Sequence, residues 1–220
     1  MSIGVVIPCY NEGDVIESTL KAIKDTGIFD NIVVIDDGSG DDTFEKSSGM
    51  DVKCIRLKKN SGKGNAVRMG LKSINTDIIV LIDGDVGNTA GEISKVIKPV
   101  ASGQADVAIA SFPKTNKKGG FGLVKGLTRW GLKMLTGQVI GSALSGQRAY
   151  KREVLNNLWI PDGYGMEFAM TAETLKMGYA IAEVEVNMTH KVTGRSFKDF
   201  IHRGRQFKDI LKTIILEAAR

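Results

Sequence analysis

Short apolar runs alternate with amphipathic segments along the first half of this 220-residue chain. Five runs have the length of a buried strand, and they cover residues 3–7, 32–35, 52–57, 78–82 and 106–110. Three segments between them repeat apolar residues at helical spacing, and these cover residues 14–24, 64–74 and 93–100. Strands that alternate with helices favour a mostly parallel sheet with helices on both faces. The sequence therefore predicts an α/β fold.

Polar clusters follow the predicted strands, at residues 8–12, 36–42, 60–64 and 83–85. Open α/β sheets bind ligands at the carboxyl ends of their strands, so we expect these clusters to form one site. We find no linker, internal repeat or low-complexity tract. The chain is therefore predicted to form a single domain over residues 1–220.

Two carboxylates, Asp83 and Asp85, flank Gly84 directly after the fourth predicted strand. Carboxylate oxygens suit a hard cation such as Mg²⁺ or Mn²⁺, which in turn holds phosphate groups. A solvated turn after a strand is the alternative interpretation. The position of the pair at a strand end favours the metal site.

Two further clusters carry groups that suit a nucleotide. Asp37 ends the second predicted strand, where a carboxylate can accept hydrogen bonds from a ribose or a base. The same residues could instead form a turn that caps a helix. Lys63 lies between two glycines at the start of a predicted helix, where the backbone and the ammonium can approach a phosphate.

Taken together, the motifs resemble glycosyltransferase family 2 on the GT-A fold. The resemblance rests on residues 6–12 (VIPCYNE), 35–39 (IDDGS), 62–66 (GKGNA) and 83–85 (DGD). Residues 145–155 and 163–167 look like the equivalent segments of dolichyl-phosphate mannosyltransferases and related polyprenyl-phosphate sugar transferases.

The resemblance implies a role for each matching residue. Nucleotide-sugar binding would fall to Pro8, Tyr10, Glu12, Asp37, Lys63, Asp83 and Gly84, and Asp83 and Asp85 would hold Mg²⁺ or Mn²⁺. Asp85 and Glu167 would be the catalytic residues. Glu167 begins a predicted helix at residues 166–177, where an acid can also simply favour the helix dipole. It would act as a base toward a hydroxyl acceptor, and would position a phosphate acceptor.

Two departures from the mannosyltransferase pattern leave alternatives open. Val86-Gly87-Asn88 follows the acidic pair, where that pattern usually has Leu or Met and a polar ligand. Residues 62–64 and 188–190 look closer to glucosyl-3-phosphoglycerate synthases, which use a histidine near His190 as a third metal ligand. A packed or surface histidine is the alternative. Those enzymes retain anomeric configuration whereas family 2 inverts, so both stereochemical outcomes stay open.

Charge is unevenly distributed in a chain of formal net charge +5. Residues 107–152 contain nine basic and no acidic residues, and residues 190–220 contain eight basic and three acidic ones. An acidic first half and a basic second half indicate two tasks. We assign nucleotide-sugar binding to residues 1–110 and acceptor binding to residues 111–220, with Arg148, Arg195 and Arg203 as candidates to hold an acceptor phosphate.

Both basic stretches also carry apolar stripes at helical spacing. One stripe comprises Leu123, Leu127, Trp130 and Met134, and the other lies in a C-terminal helix that begins near Phe197. Such a stripe commonly packs on the core. A basic amphipathic helix with aromatic residues also suits the surface of an anionic membrane. We keep both interpretations.

The leading hypothesis is transfer of a sugar to a polyprenyl phosphate, and transfer to a soluble phosphorylated acid such as 3-phosphoglycerate is the alternative. A basic nucleic-acid-binding module is the alternative from another class, because the second half of the chain is basic, but it would need interleaved stacking aromatics. A dinucleotide oxidoreductase would need a glycine fingerprint after the first strand. Neither pattern is present, so we expect no nucleic-acid partner. We see no leader or membrane-spanning run and expect a cytoplasmic enzyme, with peripheral membrane contact and a homodimer as candidate associations.

Overall fold

The computed structural model describes residues 1–113, 122–188 and 197–220, and for residues 197–203 it describes the helical backbone alone. The strands are β1 (Ile3–Cys9), β2 (Asn31–Asp36), β3 (Lys53–Arg56), β4 (Ile78–Leu81), β5 (Val107–Ser111), β6 (Arg148–Lys151) and β7 (Ile181–Glu185). The helices are α1 (Ile16–Lys24), α2 (Thr43–Ser48), α3 (Lys63–Lys72), α4 (Ile93–Ala101), α5 (Leu123–Thr136), α6 (Arg152–Asn157), α7 (Met166–Lys176) and α8 (Phe197–Ala219), with a 3-10 turn at Gly87–Glu92.

The described strands form one sheet in the order β3-β2-β1-β4-β6-β5-β7. β6 runs antiparallel to β4 and β5, and the other pairs are parallel. This architecture confirms the predicted α/β fold of the GT-A type. Because β6 lies between two strands from the first half of the chain, both halves share one sheet. The division of tasks between residues 1–110 and 111–220 stays a prediction.

Apolar side chains cover both faces of the sheet. Alternate residues of β1 point to opposite faces, so that Val6 belongs to the apolar cluster that includes residues of α3 and α7, while Val5 and Ile7 belong to the cluster that includes residues of α1 and α4. A strand buried on both faces needs a continuous apolar sequence. This requirement explains the unbroken apolar runs from which the strands were predicted.

Helix α5 presents Leu123, Trp130 and Met134 of its predicted apolar stripe to solvent, which corrects the interpretation of the stripe as core for all its members except Leu127, which packs against the core. Thr128, Gly131 and Leu132 face inward, whereas Trp130 and Met134 are at least half exposed. The reason is the contact with α8, since a Cβ on Gly131 would lie 2.6 Å from Cδ1 of Ile214. The glycine lets the two helices approach closely and so fixes which side of α5 is buried.

Helix α8 divides in the same way. Ile210 and Ile214 are buried against α5 and α7, while Phe207, Leu211 and Ile215 are exposed. Within the described ranges, no helix is long and apolar enough to cross a bilayer.

Candidate active site

The turn after β4 is held rigidly between α1 and β1. The buried hydroxyl of Thr19 donates to the carbonyl of Gly84 at 2.8 Å and accepts from the N–H of Gly87 at 2.8 Å. A Cβ on Gly84 would lie 2.9 Å from Cβ of Cys9, so glycine is needed where the turn crosses β1. These contacts set the backbone from which the partly exposed side chains of Asp83 and Asp85 project.

Three charged side chains from distant elements meet beside this turn. The ammonium of Lys63, at the first residue of α3, lies 2.6 Å from Oδ1 of Asp83 and 2.7 Å from Oε1 of Glu167. Glu167 is the second residue of α7. Burial favours the neutral form of Lys63, but the Asp83 and Glu167 carboxylates outweigh it and hold the pKa of Lys63 above its ordinary value. Lys63 is therefore a fixed positive charge in this structure.

The position of Lys63 depends on Asp37. The buried Asp37 carboxylate accepts the N–H of Ser61 at 2.9 Å and the N–H of Gly62 at 2.7 Å. These bonds join the end of β2 to the residues that precede α3. Asp37 thereby shapes the loop that brings Lys63 to the site, and the contact with a nucleotide implied by the resemblance stays a prediction.

The loops after β1 and β2 are also joined. The Asn11 side chain accepts the N–H of Gly40 at 2.9 Å, and the N–H of Asn11 donates to the hydroxyl of Ser39 at 2.9 Å. Tyr10 stands exposed at this edge, whereas Pro8 is buried within β1. The phenol ring of Tyr10 thus offers a free face beside the site, and Pro8 shapes the strand end.

A sequence model of the glycosyl transferase family 2 matches residues 4–159, which contain the loops, the acidic turn and Lys63. The chain belongs to glycosyl transferase family 2. This membership confirms the predicted glycosyltransferase.

Proteins similar to this family 2 glycosyltransferase differ from one another in name. An uncharacterised protein of Methanocaldococcus jannaschii is 33% identical over 83% of this chain and 79% of its own length. The dolichol-phosphate mannosyltransferase of Pyrococcus furiosus is 32% identical over 89% of this chain, which spans 58% of that relative. Glucosyl-3-phosphoglycerate synthase of Mycobacterium tuberculosis, solved with Mn²⁺, UDP and phosphoglyceric acid, superposes with a TM-score of 0.84 at 26% identity over 98% of this chain and 78% of its own.

The structure corrects the assignment of Arg148 to the acceptor site. The residue is 1% exposed, and all five guanidinium donors are bonded inside the protein. The acceptors are the carbonyls of Ala143, Ser145 and Glu167 and the hydroxyls of Tyr150 and Thr171. Arg148 therefore anchors β6 to α7 and has no donor left for an acceptor phosphate.

Other predicted residues remain predictions. His190 and Arg195 lie outside the described residues, and for Arg203 the structure describes the helical backbone alone. Among the residues that it does describe, no group of three or more His, Cys, Asp and Glu side chains could hold a metal ion. Glu12 follows β1 in the joined loops, where its N–H donates to Thr43 at 2.8 Å. Its contact with a nucleotide is a prediction too.

Sequence reasoning assigned no role to Thr19 or Gln147, although both contact the acidic turn. Gln147 donates from Nε2 to Oδ2 of Asp83 at 3.0 Å. Thr19 interrupts the apolar face of α1 that contains Ile16, Leu20 and Ile23, and a hydroxyl on a buried helix face signals a specific partner.

Proposed function

We propose that this chain transfers a hexose from a UDP-glucose-like or GDP-mannose-like donor to a phosphate-bearing acceptor, with the help of Mg²⁺ or Mn²⁺. The observation that carries the proposal is the Lys63 ammonium held between Asp83 and Glu167 at the carboxyl ends of the strands. The mycobacterial synthase complex with Mn²⁺ and UDP supports the same chemistry.

The acidic turn fits a divalent cation by the chemistry of its donors. Asp83 and Asp85 supply carboxylate oxygens, which Mg²⁺ and Mn²⁺ prefer. Together with Glu167 and Lys63, these two residues form a cluster with three negative formal charges and one positive charge. The net negative charge of the cluster suits a cation, and Asp83 already pairs with the cationic ammonium of Lys63. We assign Asp83 and Asp85 as metal ligands and His190 as the third. Once bound, the metal would offset the charge of the leaving nucleotide.

The chain's own residues would then orient the two substrates. Lys63, which stays charged, offsets phosphate charge on the donor. We assign the nucleotide to the joined loops that contain Tyr10, Glu12 and Asp37. Glu167 orients a phosphate acceptor, whose oxygen is already ionised and needs no base.

We propose a polyprenyl phosphate as the acceptor, taken at an anionic membrane surface. The support is the exposed apolar side of α5, with Leu123, Trp130 and Met134, on a helix that also exposes the basic residues Lys125 and Arg129. Each basic side chain near an anionic leaflet contributes roughly 1 kcal/mol, which salt weakens. The named dolichol-phosphate relative favours the same acceptor class.

Helix α8 extends this surface. Phe207, Leu211 and Ile215 lie exposed on it at four-residue intervals, with the exposed Lys208 and Lys212 nearby. Fewer basic side chains contribute to this surface than the nine basic residues of 107–152 suggested. Arg148 is buried, Lys151 pairs with Asp106 at 2.7 Å, and neither adds charge to it.

A soluble phosphorylated acid, such as 3-phosphoglycerate, is the second candidate acceptor. The likeness to the mycobacterial synthase over 98% of this chain favours it. In that case the apolar surface of α5 and α8 would be covered by a second copy of the chain, as in a homodimer.

One transfer experiment separates the acceptors. The purified chain is incubated with UDP-glucose or GDP-mannose, Mn²⁺, and either a polyprenyl phosphate in detergent or 3-phosphoglycerate, and the product is identified by mass spectrometry. Product from the lipid supports the first proposal, and product from the acid alone overturns it. No product from any donor would count against the function as a whole.

Vesicle flotation tests the docking surface independently of turnover. We expect binding to anionic but not to neutral vesicles, weakened by high salt and by the double change Trp130→Ala and Ile215→Ala. Exposed Met177→Ala, at the far end of α7, is the matched control. Failure to float at low salt, together with a dimer in sedimentation that the double change splits, would assign the surface to a second copy.

A further inference from the structure

Each carboxylate oxygen of Asp83 has its own donor, and the two donors come from different elements. Oδ1 faces the ammonium of Lys63 at 2.6 Å, at the start of α3. Oδ2 accepts from Nε2 of Gln147 at 3.0 Å, directly before β6. The orientation of the carboxylate is therefore fixed from two sides.

Gln147 is itself held in place at both ends. Its backbone carbonyl accepts the N–H of Ala110 at 2.9 Å, which fastens it to β5. The residue is 4% exposed, and its Oε1 accepts a hydrogen bond from the hydroxyl of Ser145 at 3.2 Å. With Oε1 committed to a donor, the amide N–H groups point toward Asp83.

The turn that carries Gln147 lies directly against the ion pair. A Cβ on Gly146 would come within 2.5 Å of Oδ2 of Asp83 and 2.7 Å of Nζ of Lys63. Arg148, which follows Gln147 at the start of β6, donates to the backbone carbonyl of Glu167 at 3.1 Å. The turn thus contacts the Asp83 carboxylate and the Lys63 ammonium directly, and the arginine that follows it holds the backbone of Glu167.

We propose that Gln147 is a positioning residue that fixes the Asp83 carboxylate for the divalent cation, an inference that rests on the proposed function. A neutral amide can hold one oxygen without cancelling the carboxylate charge that attracts a cation. Lys63, in contrast, carries a charge that competes with the metal. The Gln147 amide therefore orients the Asp83 carboxylate, and the Lys63 ammonium offsets its negative charge.

The test measures Mn²⁺ binding by electron paramagnetic resonance with saturating UDP, and separately with GDP. Gln147→Met keeps the length of the side chain and removes the donor. We expect its Mn²⁺ affinity to fall about 10–100-fold, the usual scale for losing a group that orients a metal ligand. Ser145→Ala, which frees the amide, should weaken binding less. The exposed Gln138→Met is the matched control and should bind as the wild type does.

Kinetics supply a second readout. If Gln147 acts through the metal ligand, Gln147→Met should raise the Mn²⁺ concentration for half-maximal activity and recover most of kcat at saturating Mn²⁺. A general packing defect would lower kcat at every Mn²⁺ concentration. If Gln147→Met does not fold, the Mn²⁺ affinity of Ser145→Ala is the test. A weaker affinity supports the proposal, and an unchanged affinity overturns it.

The outcomes distinguish this inference from the function beneath it. Wild-type protein that binds no Mn²⁺ with either nucleotide would overturn both. Wild-type binding that Asp83→Asn abolishes and Gln147→Met leaves unchanged would overturn the role of Gln147 alone.

Discussion

Lys63 and Glu167 are 104 positions apart in the chain, yet Nζ of the first lies 2.7 Å from Oε1 of the second. The contact joins the start of α3 to the start of α7 across the carboxyl edge of the sheet. It sets a positive charge between the acidic turn and the side of the site where we place the acceptor.

Replacing Lys63 with Met should lower kcat/KM for transfer by about 10²–10³, the scale for losing one charge-stabilising donor in a site. The variant removes the fixed positive charge and leaves two facing carboxylates unbalanced. Steady-state kinetics at saturating Mn²⁺ measure the effect. Lys72→Met, exposed at the other end of α3, should retain wild-type kinetics, and equal losses in both variants would contradict a role at the site.

Glu167→Gln distinguishes a base from a positioning group. With a hydroxyl acceptor, the rate should fall about 10²–10⁴, the usual contribution of a general base. With a phosphate acceptor the loss should be much smaller, because the acceptor oxygen is already ionised. Parallel rates on both acceptor classes make the comparison, and a full loss on the phosphate would refute positioning.

His190→Ala should weaken Mn²⁺ binding about 10–100-fold if this side chain completes the metal shell. His202→Ala is the natural control, because the chain has two histidines and His202 is predicted to have no such role. Mn²⁺ titrations of both variants decide the point. An unchanged titration for His190→Ala would return that histidine to a structural role.

Asp106 should make stability depend on pH in the acid range. Hydrogen bonds from Lys151 at 2.7 Å and from the N–H of Ala180 at 2.9 Å hold the pKa of Asp106 below its ordinary 3.8. A depressed pKa contributes stability that is present above pH 3.8 and is lost as pH falls through the folded-state pKa. Asp106→Asn should lower the melting temperature by about 2–4 °C at pH 7.

The same difference should vanish at low pH, once Asp106 is protonated in the wild type. Calorimetry of both proteins at neutral and strongly acid pH checks the prediction. A gap in melting temperature that stays constant across the range would mean that the carboxylate charge contributes nothing.

The alternating pattern was enough to predict the parallel part of the sheet. The predicted strand at residues 3–7 is β1 (Ile3–Cys9), which runs two residues further because Pro8 and Cys9 still pair with β2. The sequence did not predict β6, because its buried Arg148 gives this segment a polar pattern and not an apolar run. Most of the hydrogen-bond acceptors of this arginine are backbone carbonyls, and a sequence pattern cannot identify these because every residue has one.

The exposed side of α5 also depended on tertiary contacts. Its sequence has apolar residues on more than one side, and the fit of Gly131 against Ile214 decides which of them are buried. At the site, the resemblance identified Lys63 and Glu167 separately. Their direct contact follows from the fold alone, because each lies at a helix start that the sheet brings to one edge.

The central claim, that Asp83 and Asp85 bind a metal needed for sugar transfer, is tested most directly by turnover after metal removal. Protein treated with EDTA is assayed with its nucleotide-sugar, with and without added Mn²⁺ or Mg²⁺, beside Asp85→Ala and the surface control Asp25→Ala. The account predicts that EDTA abolishes transfer, that either ion restores it in wild type and Asp25→Ala, and that Asp85→Ala stays inactive while folded. Full turnover in EDTA would contradict the account.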